Sequence, residues 1–267
     1  MITSDLTAKR AALHAILAKH APLMVAYSGG VDSTCLLAVA HALLGDHVVG
    51  LIADSPSLPR ASLAEALAVA NSLGAQVEVI ATTELDDPAY ASNPPNRCYF
   101  CKAELFRSME SLANERGFAA IAYGENADDP AHLRPGSQAA AEFSVIAPLK
   151  QAGLTKADVR ELSRELGLST ADAPAQPCLS SRIPHGTPVT REALSYVERG
   201  EAAIRALGFK IFRVRFLDGE PPGARVLAGP DELENAIARA DTIRAALQCE
   251  GFGDVIVDPS GYRSPAS

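Results

Sequence analysis

The chain has 267 residues, an apolar fraction of 48% and a formal net charge of −8. That length predicts about two domains with ample core, and the acidic balance argues against a broad electropositive surface tracking nucleic-acid phosphates, so no nucleic-acid partner is expected. No stretch reaches the roughly 18 apolar residues of a membrane span, and residues 1–19 carry charges throughout, so the expectation is a cytoplasmic protein with no membrane partner.

In chain order, the apolar run Pro22–Tyr27 reads as a buried strand and Ser33–Leu44 as the helix behind it. Between them lies Ser28-Gly29-Gly30-Val31-Asp32-Ser33. Adjacent glycines let the backbone approach an anion and take φ > 0, while Ser28, Ser33 and the amides of the helix start supply donors. A ligand phosphate is the expected occupant. The loop lacks the Gly-Lys-Ser/Thr ending that holds the β and γ phosphates in a P-loop. A second strand follows over His47–Ala53, a helix from Pro59 to Leu73 stopped by Gly74, a third strand over Gln76–Ala81, and a proline-rich loop over Asp86–Asn96. A helix spans Arg97–Arg116, closed by Gly117, a fourth strand Phe118–Tyr123, and a fifth Phe143–Ala147. This alternation predicts an α/β fold with a doubly wound parallel sheet, whose ligands bind at the carboxyl ends of its strands. Ala53, Asp54–Ser57 and Gly124–Asp129 fall at those ends beside the glycine loop.

Helix Thr155–Leu166 leads into the loop Asp172–Pro184. Then come helix Arg191–Leu207, strands Lys210–Phe216 and Ala224–Leu227, helix Asp231–Leu247 and strand Asp254–Val257. That order is typical of a small two-layer α+β domain, giving a boundary near residue 185 between domains 1–185 and 186–267, with Ser260–Ser267 a loose tail.

Five cysteines, an odd number, read as thiols, ligands or nucleophiles rather than disulfides. Cys98 and Cys101 are three apart at a helix start, so both can face one way where thiolates are favoured. Zinc, an iron–sulfur cluster, a redox pair and plain helix cysteines all fit that pair. Cys178 stands in a loop between prolines beside Ser180, Ser181 and Arg182, out of place for a core thiol. Three cysteines are one short of a closed zinc site, whereas three on a cubane leave one iron open to an exogenous sulfide. Cys35 and Cys249 read as core or incidental.

The Ser28–Ser33 loop resembles the SGGxDS loop of the ATP pyrophosphatases, the PP-loop superfamily. The resemblance narrows when Ser55–Ser57, Arg97–Lys102, Arg134–Gly136, Ala152–Lys156, Pro177–Arg182, Arg213–Arg215 and Gly261–Arg263 are added. Together they are similar to the LarE-type sulfur transferases over nearly the whole chain. That resemblance implies cleavage of ATP between its α and β phosphates. A carboxylate of pyridinium-3,5-biscarboxylic acid mononucleotide is adenylated and converted to a thiocarboxylate, for the nickel-pincer cofactor of lactate racemase.

The family uses two sulfur sources: a sacrificed loop cysteine, or a [4Fe-4S] cluster held by three thiolates that delivers a sulfide. All three cysteines are present, so the resemblance implies Cys98, Cys101 and Cys178 as cluster ligands, with a sulfide donor of unknown identity. It further implies Cys178, Asp32 and Lys102 as catalytic, and Ser28, Gly29, Gly30, Asp32, Ser33, Ala53, Ser57 and Gly124 around the nucleotide. Asp32 and Asp128 would hold Mg2+. Arg182, Arg213 and Arg215 suit the substrate's phosphate and second carboxylate, since arginine's planar fork matches both, and Glu201 would complete that pocket. A homo-oligomer is expected by the same resemblance. The rival readings are a tRNA thiolase of the same superfamily, an amide-forming relative such as an NAD or GMP synthetase, which would have no need of the three thiols, and a nucleotide-binding module without catalysis.

Overall fold

The computed structural model describes residues 4–129 and 135–262. Arg134 and Arg263, quoted above, lie outside the described residues, as does the tail beyond Tyr262. The chain divides into two compact units, one of residues up to Glu84 with Asn96–Gln176, the other of Leu85–Pro95 with Pro177 onward.

In chain order the elements are α1 (Ser4–Lys19), β1 (Leu23–Ala26), α2 (Val31–Leu44), β2 (Val48–Asp54), α3 (Arg60–Ser72), β3 (Val77–Ala81), α4 (Pro88–Ala91), α5 (Arg97–Arg116), β4 (Ala120–Tyr123), α6 (Pro135–Glu142), α7 (Pro148–Gln151) and α8 (Lys156–Glu165). There follow α9 (Arg191–Ala206), β5 (Phe212–Leu217), β6 (Gly223–Ala228), α10 (Leu233–Ala238), α11 (Ala240–Cys249) and β7 (Val255–Val257).

The first unit is built on a parallel sheet in the order β3-β2-β1-β4. Successive strand residues point to opposite faces, and both faces are apolar. Leu23, Val25, Val48, Ile52 and Ala122 join one core with α1, α2, α3 and α8, while Met24, Ala26, Val49, Leu51, Ile121 and Tyr123 join another with α5 and α6. Helices therefore cover both faces, which explains why β1 reads as an uninterrupted apolar run. The strand order reverses between β1 and β4, and in such sheets ligands bind at that crevice. Phe143–Ala147 is not a fifth strand. Ser144 takes φ 53 where the chain turns off α6, so only Ile146 comes alongside β4, in a single parallel bridge to Ala122.

The second unit has a mixed sheet, β5-β6-β7, with β5–β6 antiparallel and β6–β7 parallel. Phe212, Val214 and Phe216 are buried while Arg213, Arg215 and Leu217 take the other face. The buried set packs on α9, α10 and α11 through Ile204, Ala236, Ile243, Leu247 and Phe252. The helix expected over 231–247 is broken at Arg239 into α10 and α11. The division falls at Pro177 rather than near 185, because the Cys178 loop is bonded to the Leu85–Pro95 segment, which itself forms the one-turn helix α4 rather than loop alone.

Candidate active site

The glycine loop closes on itself at the carboxyl end of β1. Ser28 N donates to Ser33 Oγ at 3.2 Å, the two hydroxyls are 3.0 Å apart, and Ser33 Oγ donates to the Gly30 carbonyl at 3.1 Å. Gly29 has φ 74, and a Cβ there would stand 2.6 Å from Ala66 Cβ, so glycine is required twice over. Gly30, by contrast, is extended at φ −73 and N-caps α2 without a side chain, so no capping oxygen occupies the amides of the first turn. A helix start left in that state is a natural anion site. Gly124, at the end of β4, sits against the same turn: a Cβ would lie 2.7 Å from Ser33 N and 2.9 Å from Asp32 C. Close backbone approach across the β1–β4 switch is thus the structural reason for this glycine. At the end of β2, Ala53 is half-buried, Ser57 is buried, and Ser57 N donates to Ser55 Oγ at 2.9 Å.

Asp32 is engaged. Its Oδ2 accepts from Lys156 Nζ at 2.7 Å and its Oδ1 from Asn126 Nδ2 at 3.4 Å. Lys156 is the first residue of α8, behind the capping box of Thr155 and Asp158. Asp128 Oδ2 accepts from Lys156 N at 2.7 Å, while Asn126 Oδ1 accepts from Asp128 N and Asp129 Oδ2 from Asn126 N. As placed, both carboxylates expected to hold magnesium accept from the protein's own donors. The buried Glu125 accepts from the Tyr123 hydroxyl, from Ser137 Oγ at 2.7 Å and from Lys150 Nζ at 3.1 Å. Burial pushes its carboxyl up, but those three donors hold it below its ordinary value overall. Sequence reasoning assigned no role to Lys156 or Glu125. A lysine after an N-cap reads as a solvated helix residue, and nothing local ties it to an aspartate 124 positions earlier.

Cys98 and Cys101 lie in the first turns of α5, the former exposed and the latter half-buried. Lys102 Nζ lies 5.5 Å from the Phe106 ring centroid and 5.8 Å from that of Tyr123. Burial lowers its ammonium below the usual lysine range, opposed by the charges of Cys101, Cys98 and Glu125.

In the second unit Cys178 N-caps a 3-10 turn, Leu179–Arg182, and is half-buried. Its carbonyl accepts from Ser181 N at 3.0 Å, Ser181 Oγ at 2.7 Å and Arg182 Nη1 at 3.3 Å. Arg182 and Glu201 form a buried fork, Nε to Oε1 at 2.7 Å and Nη2 to Oε2 at 3.2 Å. Tyr90 Oη and Ser180 Oγ are 2.7 Å apart, and Asn93 Nδ2 donates to the carbonyls of Pro184 at 2.7 Å and Thr187 at 2.8 Å. Tyr90 and Asn93 are further residues that the sequence reading left in an unassigned loop. Arg213 lies 4.6 Å over the Tyr262 ring and bonds the Phe212 carbonyl at 2.7 Å, and Arg215 is exposed. Burial, then the charge of Arg182, lowers the Arg213 pKa. Among the described residues no group of three or more His, Cys, Asp or Glu is arranged to hold a metal ion. Cys98 and Cys101 in the first unit and Cys178 in the second are each thiol donors of the type that iron–sulfur clusters take.

No protein-family model matches the sequence. An uncharacterised protein of Synechocystis is 41% identical over 90% of this chain and 90% of its own length. The pyridinium-3,5-bisthiocarboxylic acid mononucleotide synthase of Lactiplantibacillus plantarum is 33% identical over 98% of this chain and 94% of its own. The chain belongs to the LarE-type sulfur transferases. More distantly, the tRNA-specific 2-thiouridylase of Rickettsia felis is 28% identical over 58% of this chain, as befits a shared PP-loop fold. The LarE-type chain is accordingly an ATP-using sulfurtransferase with a parallel α/β nucleotide-binding unit. No helix among the described residues is long and apolar enough to cross a membrane.

Proposed function

We propose that this LarE-type protein acts on pyridinium-3,5-biscarboxylic acid mononucleotide. A substrate carboxylate oxygen attacks the α-phosphorus of ATP, pyrophosphate leaves, and the acyl-adenylate forms. A sulfur nucleophile then adds to the acyl carbon and AMP departs, leaving a thiocarboxylate. The observation that carries this reading is the near full-length likeness to the Lactiplantibacillus plantarum synthase. Magnesium arrives with ATP as part of the substrate. Ser28, Gly29, Gly30 and Ser33 receive the phosphates at the start of α2, with Ala53, Ser57 and Gly124 lining the nucleotide's place at the strand ends. Lys156, released from Asp32, and Lys102 balance the charge of the leaving pyrophosphate. Arg213 and Arg215, on one face of β5, take the substrate's phosphate and second carboxylate, since guanidinium forks fit both.

The proposed sulfur source is a [4Fe-4S] cluster bound by Cys98, Cys101 and Cys178, whose fourth iron, bearing no protein ligand, would supply a sulfide. Anaerobic isolation with iron and sulfide analysis, followed by mass spectrometry after turnover, tests it. Intact Cys178 with cluster-dependent product is the expected result. Dehydroalanine at 178 overturns the cluster as source, and full iron content in a Cys98→Ser protein does the same. The tRNA reading is not favoured: the 2-thiouridylase likeness spans 58% of the chain, and the net charge is −8.

A further inference from the structure

Arg182 and Glu201 carry the types of group that grip a substrate, but their surroundings say otherwise. Their side chains keep only 5% and 8% of their surface exposed. Besides its fork to Glu201, Arg182 directs Nη1 at the Pro177 carbonyl at 2.8 Å, the Cys178 carbonyl at 3.3 Å and Ser181 Oγ at 2.8 Å. Every nitrogen of the guanidinium is thereby committed to protein acceptors. Glu201 Oε1 also accepts from Val214 N at 3.4 Å, anchoring the pair to the backbone of β5. A continuous chain of hydrogen bonds therefore runs from strand β5 through α9 to the two peptide carbonyls that flank and include Cys178. The Cys178 backbone is held while its side chain stays partly accessible.

We infer that Arg182 and Glu201 are positioning residues that fix the Cys178 backbone, not contacts to the substrate. This rests on the reading of Cys178 as a thiol of the sulfur-transfer step. Sulfur chemistry needs its reacting atoms within a narrow geometry, and a loop between prolines with one 3-10 turn has no longer element of its own to provide it.

The test uses the whole chain with a pair of apolar replacements of similar length, Arg182→Met with Glu201→Leu, which removes both charges together and so leaves no buried ion unpaired. The expected result is a kcat lowered about 10- to 100-fold, an unchanged KM for the dicarboxylate, and, once iron has been chelated away from the folded protein, severalfold faster alkylation of Cys178 by iodoacetamide, followed by peptide mass spectrometry. A raised KM with Cys178 alkylation unchanged would mean that Arg182 touches the substrate and would overturn the inference. If the pair variant does not fold by circular dichroism, Arg182→Lys, which keeps the buried charge but loses the two-pronged bond to Glu201, decides between the same two outcomes. Cys178→Ala tests the underlying reading separately: full activity there would discard Cys178 as a functional thiol, whereas the alkylation result on the pair variant would stand.

Discussion

At the scale of single residues, Gly124 is closely constrained. A methyl group there would meet backbone atoms of Asp32 and Ser33, not a side chain that can swing aside. Gly124→Ala is expected to lower stability by about 1–3 kcal/mol through overpacking and to weaken ATP binding, measured by thermal melting with and without nucleotide. The cysteines separate just as sharply. Cys35 is fully buried in the core, and burial pushes its thiol up to about 12, whereas Cys98 is exposed at the start of α5. Brief iodoacetamide treatment of the folded protein at neutral pH, after its iron has been chelated away, should therefore label Cys98 and spare Cys35, as read by peptide mass spectrometry; equal labelling would contradict that burial. The glycine loop was legible because its chemistry is local: six adjacent residues between a strand and a helix define it. The Lys156–Asp32 pair was not, because it is made by packing α8 against α2 and leaves no trace in either segment alone.

At the scale of elements, α8 shows how a helix start is secured. Thr155 Oγ1 accepts from Asp158 N at 3.2 Å and Asp158 Oδ2 accepts from Thr155 N at 2.9 Å, while Lys9 of α1 reaches the same carboxylate at 2.9 Å. Thr155→Ala should cost about 1 kcal/mol, and because Lys156 opens this helix, nucleotide binding should weaken with it. Burial raises the Asp158 carboxyl, but Thr155 and Lys9 outweigh it and the net displacement is downward. A carboxyl depressed in the folded state stabilises above its unfolded pKa, about 3.9, and that contribution is lost as pH falls through the folded value. Melting temperatures of the native protein and of Asp158→Asn, taken from pH 6 downward, should accordingly converge below about pH 4; curves that stay parallel would remove Asp158 from the acid response. Most elements could be read from periodicity and stops, and the helix over Arg97–Arg116 matches its expected limits. The failures have physical causes. Phe143–Ala147 is apolar because it is buried beside β4, which a strand and a buried turn share. The 231–247 stretch hides a break because Arg239 interrupts the backbone at φ −104, ψ 21 without a proline or glycine to announce it.

At the scale of the whole molecule, the second unit borrows eleven residues, 85–95, from the middle of the first. Asn93 is fully buried at φ 56, and its amide bonds carbonyls on the far side of the Cys178 loop. Asn93→Ala leaves those carbonyls unanswered, at about 1–3 kcal/mol. Hydrogen exchange should quicken across 178–189 and remain unchanged in β1, β2 and β4; uniform change would mean that the loop and the parallel sheet open together. Such an insertion cannot be seen in a sequence that places both segments among prolines, and a linear boundary near 185 was the simplest division available.

The outer rim of β5 carries one more implication. Glu201 occupies the Val214 amide and Arg213 the Phe212 carbonyl, so side chains plug the hydrogen-bonding positions at which a foreign strand would otherwise zip onto the sheet. The three-stranded sheet thus ends at β5 against α9 and the Leu179–Arg182 turn, closed from within by a buried carboxylate rather than by a further strand.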